Sequence, residues 1–524
     1  MVHLPNPADV TITEEPREPV WDPTVGVPHV PVPTRGDPPH RLVTIGDSLL
    51  HGFQSGAVFN TDISCPAIIA HELGWLNRFR CPRYDSFGGL PLNIELMLRE
   101  LERSFGKKLD WWEVPLALFH VRQFMDQVED YWERGPGSVI PRFKQINHNL
   151  AMYGWDLRDA LSMTGKLLEQ NVKVPKDDLI HQFVENATER AAMRVYPMTN
   201  EAINMMVFDA AARLGEEPTD AESGVETLVV FLGANNALGS VVRLEVVWSG
   251  SDYNDPARKG KYTVWRPTHF IDELHKVAGQ VRGIKARHVI WCTVPHVTIA
   301  PLARGVGTKV RPGSRYFPYY TRPWIPDNRF NPAQDPHITA AEARAVDSAI
   351  DQYNVAITDL VRKERSDPTT PRDWYLLDVA GILDRLAHRR YVEDPLARPD
   401  WWQPYPLPPQ LRALRPVPDS RFLTSDGNRR ATGGLFSLDG VHPTTVGYGI
   451  LAQEMINIMR LAGVSFRLAG GSVRPDPVTV DFDRLIRRDT LINTPPALIT
   501  SGLGILSWAD EALDLIRRTL SFRL

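Results

Sequence analysis

A serine just past a buried strand, and a carboxylate three residues ahead of a histidine, are parts from which a nucleophilic site can be built. In RLVTIGDSLLHG the run Leu42, Val43, Thr44, Ile45 predicts a core strand that ends on Gly46, Asp47 and Ser48. The carboxyl ends of parallel strands form the crevice where doubly wound folds bind ligands, so Ser48 stands where chemistry would be done. In FSLDGVHPTTVGYGILAQEMINIM, a turn at Gly440 separates Asp439 from His442. That spacing lets the carboxylate hold the imidazole Nδ1–H while Nε2 faces outward as a base. Either piece alone is also an ordinary turn.

Two more strand ends offer donors for an oxyanion. VVFLGANNALG ends a strand at Gly233, and the side-chain amide of Asn235 can donate to developing charge, a contact worth on the order of 3 kcal/mol in the transition state. HNLAMYGWDLRDAL ends a strand at Gly154, whose unobstructed N–H is a second donor, and the Ser48 amide is a third. Gly88 and Gly89 of SFGGLPLN rival Gly154; the apolar residues around Asn149 and Leu150 supply the expected strand and favour Gly154.

Such residues need an α/β framework to position them. After the strand at 41–46, four short apolar runs predict further core strands: INHNLAMY, VETLVVFLG, ARHVIWCTVP and DWYLLDVAG. Between them lie stretches with helical periodicity, among them SCPAIIAHELG, LNIELMLRELERSF, LFHVRQFMDQVEDYWE, LSMTGKLLEQ, AINMMVFDAAARLG and THFIDELHKVAGQVRG. A long helix beginning at TAAEARAV has Thr339 as N-cap and Glu342 at N3. Five strands with helical crossovers predict a parallel sheet covered on both faces.

The remainder is elaboration. Residues 1–40 are proline-rich and predict an extended arm; insertions fall at about 84–145 and 156–220 (helical) and 296–335 and 388–436 (irregular); residues 466–524 form a C-terminal extension. In the irregular insertions Tyr316, Tyr319, Trp324, Trp401 and Trp402 gather beside arginines and prolines, where they either wall a substrate pocket or fasten the loops to the surface. The extension ends in an amphipathic pattern with Leu513, Ile516 and Leu520 on one face, which leaves a weak peripheral membrane contact open while self-packing is the expectation. Residues 490–509 carry no charge, but Pro495, Pro496, Gly502 and Gly504 make a poor spanning helix.

With 524 residues, 43% of them hydrophobic, the chain can bury a large core, and a net charge of -4 gives no reason to expect a nucleic-acid partner. Cys65, Cys81 and Cys292 form no C-x-x-C pair, and the N-terminus lacks a secretory pattern, so a soluble cytoplasmic protein is expected.

Taken in order, these blocks resemble those of the SGNH or GDSL hydrolase family. Its GDS block is similar to Gly46, Asp47 and Ser48; its glycine block to NLAMYG ending at Gly154; its G-x-N-D block to Gly233 through Asn236; its D-x-x-H block to Asp439 through His442. The resemblance implies a three-layer α/β/α, flavodoxin-like domain with a five-stranded parallel sheet over residues 41–465. It also implies cleavage of a small-molecule or lipid carboxylic ester through an acyl-enzyme, with Ser48 as nucleophile, His442 as base, Asp439 as its orienter, Ser48, Gly154 and Asn235 as oxyanion hole, and no metal or other cofactor. Asn236 departs from the family's usual aspartate, with a structural consequence expected. The alternatives are a carbohydrate O-acetylesterase and, in another class, a catalytically silent binding or scaffold protein of the same fold; the oligomeric state stays open.

Overall fold

The computed structural model describes residues 6–28, 37–84, 86–173, 184–217, 224–367, 373–468 and 471–499. Its centre is a parallel sheet of four strands in the order β1 (His40–Gly46), β2 (Val225–Phe231), β3 (Ala286–Cys292) and β4 (Asp373–Leu377). Gly46 lies opposite Phe231, Val230 opposite Trp291, and Leu377 opposite Cys292, so the strand ends are nearly level at the carboxyl edge.

Alternation along the strands explains why both faces are covered. Val43, Ile45, Val230, Trp291 and Trp374 join one buried cluster with helices over Val207–Gly215, Pro267–Gly283 and Ala340–Ser366. Their neighbours Leu42, Val229, Phe231, Cys292 and Tyr375 join a second cluster with Cys65–Glu72 and Thr445–Leu461. Each fully buried Val, Leu or Phe contributes about 1.5–3 kcal/mol over its exposed state, so burial on both faces stabilises the sheet strongly. The long helix starts as its sequence predicts: Thr339 caps it and Glu342 returns the bond to the cap.

The predicted strand in INHNLAMY takes a different form. Residues 148–152 run beside the free edge of β1, with Thr44 N–H donating to His148 O (2.9 Å), Leu150 N–H to Thr44 O (2.8 Å) and Met152 N–H to Gly46 O (2.9 Å). Only Thr44 and Asn149 form a bridge, and the segment turns away after Met152 instead of extending a ladder. On the edge that faces away from β1, the Asn149 side chain accepts from Ala151 N–H, and it donates to Leu50 O in the turn after β1, which ties the segment to the serine turn.

The insertions at 84–145 and 156–220 carry helices, the two largest being Ile94–Phe105 and Val114–Glu133. Those at 296–335 and 388–436 are irregular apart from short pieces such as Tyr319–Thr321. The described part of the N-terminal arm lies along the far sheet edge, where Leu376 N–H donates to Pro23 O and Val20 N–H to Asp378. Such a cover removes an exposed strand edge. In the extension, Phe482–Arg488 packs on Gly449 of the last long helix. The amphipathic pattern at Leu513, Ile516 and Leu520 lies outside the described residues. No helix among the described residues is long and apolar enough to cross a membrane.

Candidate active site

Ser48 is the first residue of a single helical turn, α1 (Ser48–His51), that leaves β1 at once. Gly46 permits this exit because a Cβ there would sit 2.8 Å from the Phe231 carbonyl oxygen. Asp47 then caps the turn, its Oδ1 accepting from Leu49 N–H at 3.0 Å. Burial pushes the Asp47 carboxyl up to about 7, against the pull of the Leu49 amide, His442 and the Ala234 amide. The role of Asp47 is therefore structural: it fixes the turn on which the serine sits.

His442 reaches that serine from 394 residues away, with Nε2 2.8 Å from Ser48 Oγ. Its Nδ1 is 3.0 Å from Asp439 Oδ2. The second carboxylate oxygen accepts from the backbone N–H groups of Val441 (2.9 Å) and His442 (2.8 Å), and Gly56 N–H donates to Oδ2 at 3.0 Å. All three side chains are buried. Burial alone would raise the Asp439 pKa, but the charge attraction of His442 and these hydrogen bonds outweigh it and hold the carboxyl below its ordinary value. An ionised Asp439 fixes the Nδ1–H tautomer and leaves Nε2 as the acceptor for the serine proton.

The predicted oxyanion donors flank the same strand ends. Gly154, at φ +75°, follows the segment bonded to β1, and Asn235 begins the helix Asn235–Arg243 just after β2. Asn235 Nδ2 donates to Trp155 O at 2.8 Å, and Gly154 and Asn235 line one small cavity of about 60 Å³. One amide hydrogen is committed to orienting Asn235, and the other is free by valence to donate elsewhere. Gly88 and Gly89 lie elsewhere, in a turn before Leu90–Pro91 that packs on Val58. Asn236 is fully buried; its Oδ1 accepts from Leu157 N–H, and its carbonyl from Trp265 N–H. Its part is to hold the Gly154 loop and the loop before Pro267.

Several supporting residues carry no signal of their own in the sequence. His51 accepts from Tyr153 N–H at 3.1 Å and meets Tyr84 Oη at 2.9 Å, and burial lowers its pKa to about 3, so it stays neutral and ties the Gly154 loop to the serine turn. The Phe53 ring lies 4.6 Å from that of His442. Tyr448 Oη donates to Phe53 O at 2.6 Å. The spacing Gly52-x-x-x-Gly56 hints at the tight connection that delivers the Gly56 amide to Asp439.

The aromatic residues of the irregular insertions fasten loops. Tyr316 is buried with its hydroxyl on Asp347 at 3.0 Å, and Trp402 donates from Nε1 to Asp384 O at 3.2 Å beneath Arg398. Tyr319 stacks edge-on with His337 and packs near Phe330, Trp324 packs on the main core, and Trp401 packs near Tyr391. The adjoining cavity is lined instead by their neighbours Phe317 and Tyr320.

Compared with known proteins, the chain matches no family model, no curated protein and no solved structure.

Proposed function

We propose that the chain is a serine hydrolase of the SGNH or GDSL kind that cleaves a carboxylic ester through an acyl-enzyme. The observation that carries this reading is the continuous hydrogen-bonded relay from Ser48 Oγ through His442 to Asp439. The order of the sheet adds support: the edge segment 148–152, then β1, β2, β3 and β4, corresponds to the 2-1-3-4-5 order of flavodoxin-like folds, with an irregular second strand.

In the acylation step His442 Nε2 takes the proton from Ser48 Oγ as the oxygen bonds to the ester carbonyl carbon. The carbonyl oxygen becomes an oxyanion facing the amides of Ser48, Gly154 and Asn235, and Asp439 stabilises the imidazolium. Collapse breaks the bond to the alcohol oxygen, which leaves with the proton from His442. Water, deprotonated by the same histidine, then attacks the acyl carbon; the second collapse frees the acid and returns the proton to Ser48.

A catalytically silent scaffold has no need of a buried serine hydroxyl held 2.8 Å from a buried, aspartate-oriented imidazole. The test is hydrolysis of p-nitrophenyl esters, acetate through longer acyl chains, by the protein and by its folded Ser48→Ala variant. Turnover lost in the variant is the expected result; equal rates in both would sink the proposal.

A further inference from the structure

Behind the Asp439–His442 turn lies a second, larger feature that the relay does not use. Leu302 N–H donates to Gly440 O at 2.9 Å, and at Gly440, whose φ is +67°, a Cβ would fall 2.9 Å from the Phe422 ring. Pro301 and Ala303, on either side of Leu302, line a cavity of about 330 Å³ together with Phe422. The Asp439–His442 turn and this cavity therefore share a wall.

The lining is unusual in its charge. It holds five arginines, Arg304, Arg315, Arg389, Arg390 and Arg421, and no carboxylate among the described residues. Four of the five are already engaged. Arg390 donates to Thr298 and pairs with Asp347 at 2.9 Å, Arg421 pairs with Asp419 at 2.6 Å, Arg304 pairs with Asp327 at 2.5 Å, and Arg389 donates to Gly305 O at 2.8 Å.

Arg315 differs from the others. It is only 5% exposed, and none of Nε, Nη1 and Nη2 bonds a carboxylate or a carbonyl oxygen. Its contacts are the face of Tyr316, with Cζ 5.1 Å from the ring centroid, and the Tyr391 hydroxyl. Asp347, the carboxylate whose charge acts on it, is already committed to Arg390, Thr298 and Tyr316. A guanidinium cannot shed its proton to escape such a setting, so it sits desolvated with no carboxylate of its own and most of its five N–H donors spare. Its planar fork matches a carboxylate or phosphate, and Phe317, Tyr320 and Ile299 in the same lining suit a carbon chain leading to that group.

We infer that this cavity is a subsite for an anionic group of the ester substrate, a carboxylate or a phosphate, and that Arg315 is its ligand. The inference rests on the hydrolase reading above and narrows it to esters that carry a negative charge.

Steady-state kinetics on two matched ester pairs test it. One pair places a carboxylate on the acid half, methyl hexanoate against methyl hydrogen adipate; the other places it on the alcohol half, phenyl acetate against 4-acetoxybenzoate. The expected result is a preference of about 10- to 100-fold in kcat/KM for the charged member of one pair, the size of a charge-assisted contact, and the pair that shows it tells which half carries the charge. Arg315→Met should bring that ratio toward one, and Arg315→Lys should restore part of it. Inorganic phosphate should compete with the charged ester in the unaltered protein, a readout that needs no variant to fold; stronger competition by phosphate than by acetate assigns a phosphate group, and the reverse a carboxylate. Turnover of both pairs without preference or competition overturns the subsite and leaves the hydrolase reading standing. Failure to turn over any ester, with Ser48 unreactive toward a fluorophosphonate, overturns both.

Discussion

Two histidines of this protein, His442 and His296, are equally enclosed and both meet an aspartate through Nδ1, yet their surroundings prepare them for opposite tasks. His442 Nδ1 is 3.0 Å from Asp439, and its Nε2 faces the Ser48 hydroxyl at 2.8 Å. His296 Nδ1 is 3.0 Å from Asp384, but its Nε2 faces a second carboxylate, Asp351, also at 3.0 Å. Burial opposes the charge on His296, while Asp384, Asp351 and Asp347 outweigh it and push its pKa up to about 10. Two carboxylates require both ring nitrogens to donate, so His296 is a fixed cation that accepts no proton. A buried His–Asp pair is thus not a site in itself; the group on the other ring nitrogen decides whether it is a base or a clamp.

The clamp holds the irregular insertions on the sheet. Asp384 belongs to the helix Val379–Leu386 after β4, Asp351 to the long helix Ala340–Ser366, and His296 to the loop after β3. Arg390 and Arg17 join the same network, pairing with Asp347 and Asp378.

Substitutions can break or sharpen this contrast, and the effects are expected to run from large to small. Ser48→Ala or His442→Ala should lower ester kcat by about 10⁶-fold in steady-state assays, with the urea midpoint little changed. Asp439→Asn, which keeps the shape of the pair but loses its charge, should cost about 10⁴-fold in kcat. His296→Gln acts on the other side of the comparison. It removes the imidazolium between Asp351 and Asp384 and leaves them only the longer contacts to Arg17 (3.6 Å) and Arg390 (3.9 Å), and equilibrium urea unfolding should show a loss of about 3 kcal/mol, while kcat per folded molecule stays within several-fold.

The clamp also has a pH signature. Because the folded pKa of His296 is raised, its stabilisation is fully present below the unfolded value near 6.5 and is lost as pH rises toward about 10. The unfolding midpoint of the parent should fall across that window, and His296→Gln should lack this part of the slope. Asn235→Ala, which removes one of the proposed oxyanion donors, should lower kcat by about 10²- to 10³-fold. Smallest of all, Trp402→Phe gives up the bond to Asp384 O and should cost about 1 kcal/mol of stability without changing kcat.

How much of this could be read beforehand differs between the two histidines. Ser48, Asp439 and His442 stood out because each follows a strand or a turn whose local pattern is visible, and four strand positions followed from short apolar runs. The segment at 148–152 is harder to read: its composition suits a strand and it bonds to β1, but it turns away after Met152, which no residue pattern marks. His296 was illegible because its partners come from helices 55 and 88 residues away and carry no shared motif. The aromatic residues of the insertions were visible as a group, but whether Tyr316 or Phe317 faces a cavity depends on an irregular backbone with no period to read.

The most direct measurement of the central claim is the intact mass of the protein after treatment with a fluorophosphonate. A nucleophile activated as described should take up a single adduct that maps to Ser48, that forms far more slowly in His442→Ala and is absent in Ser48→Ala. No adduct on the folded parent, or one that persists in Ser48→Ala, would contradict the account.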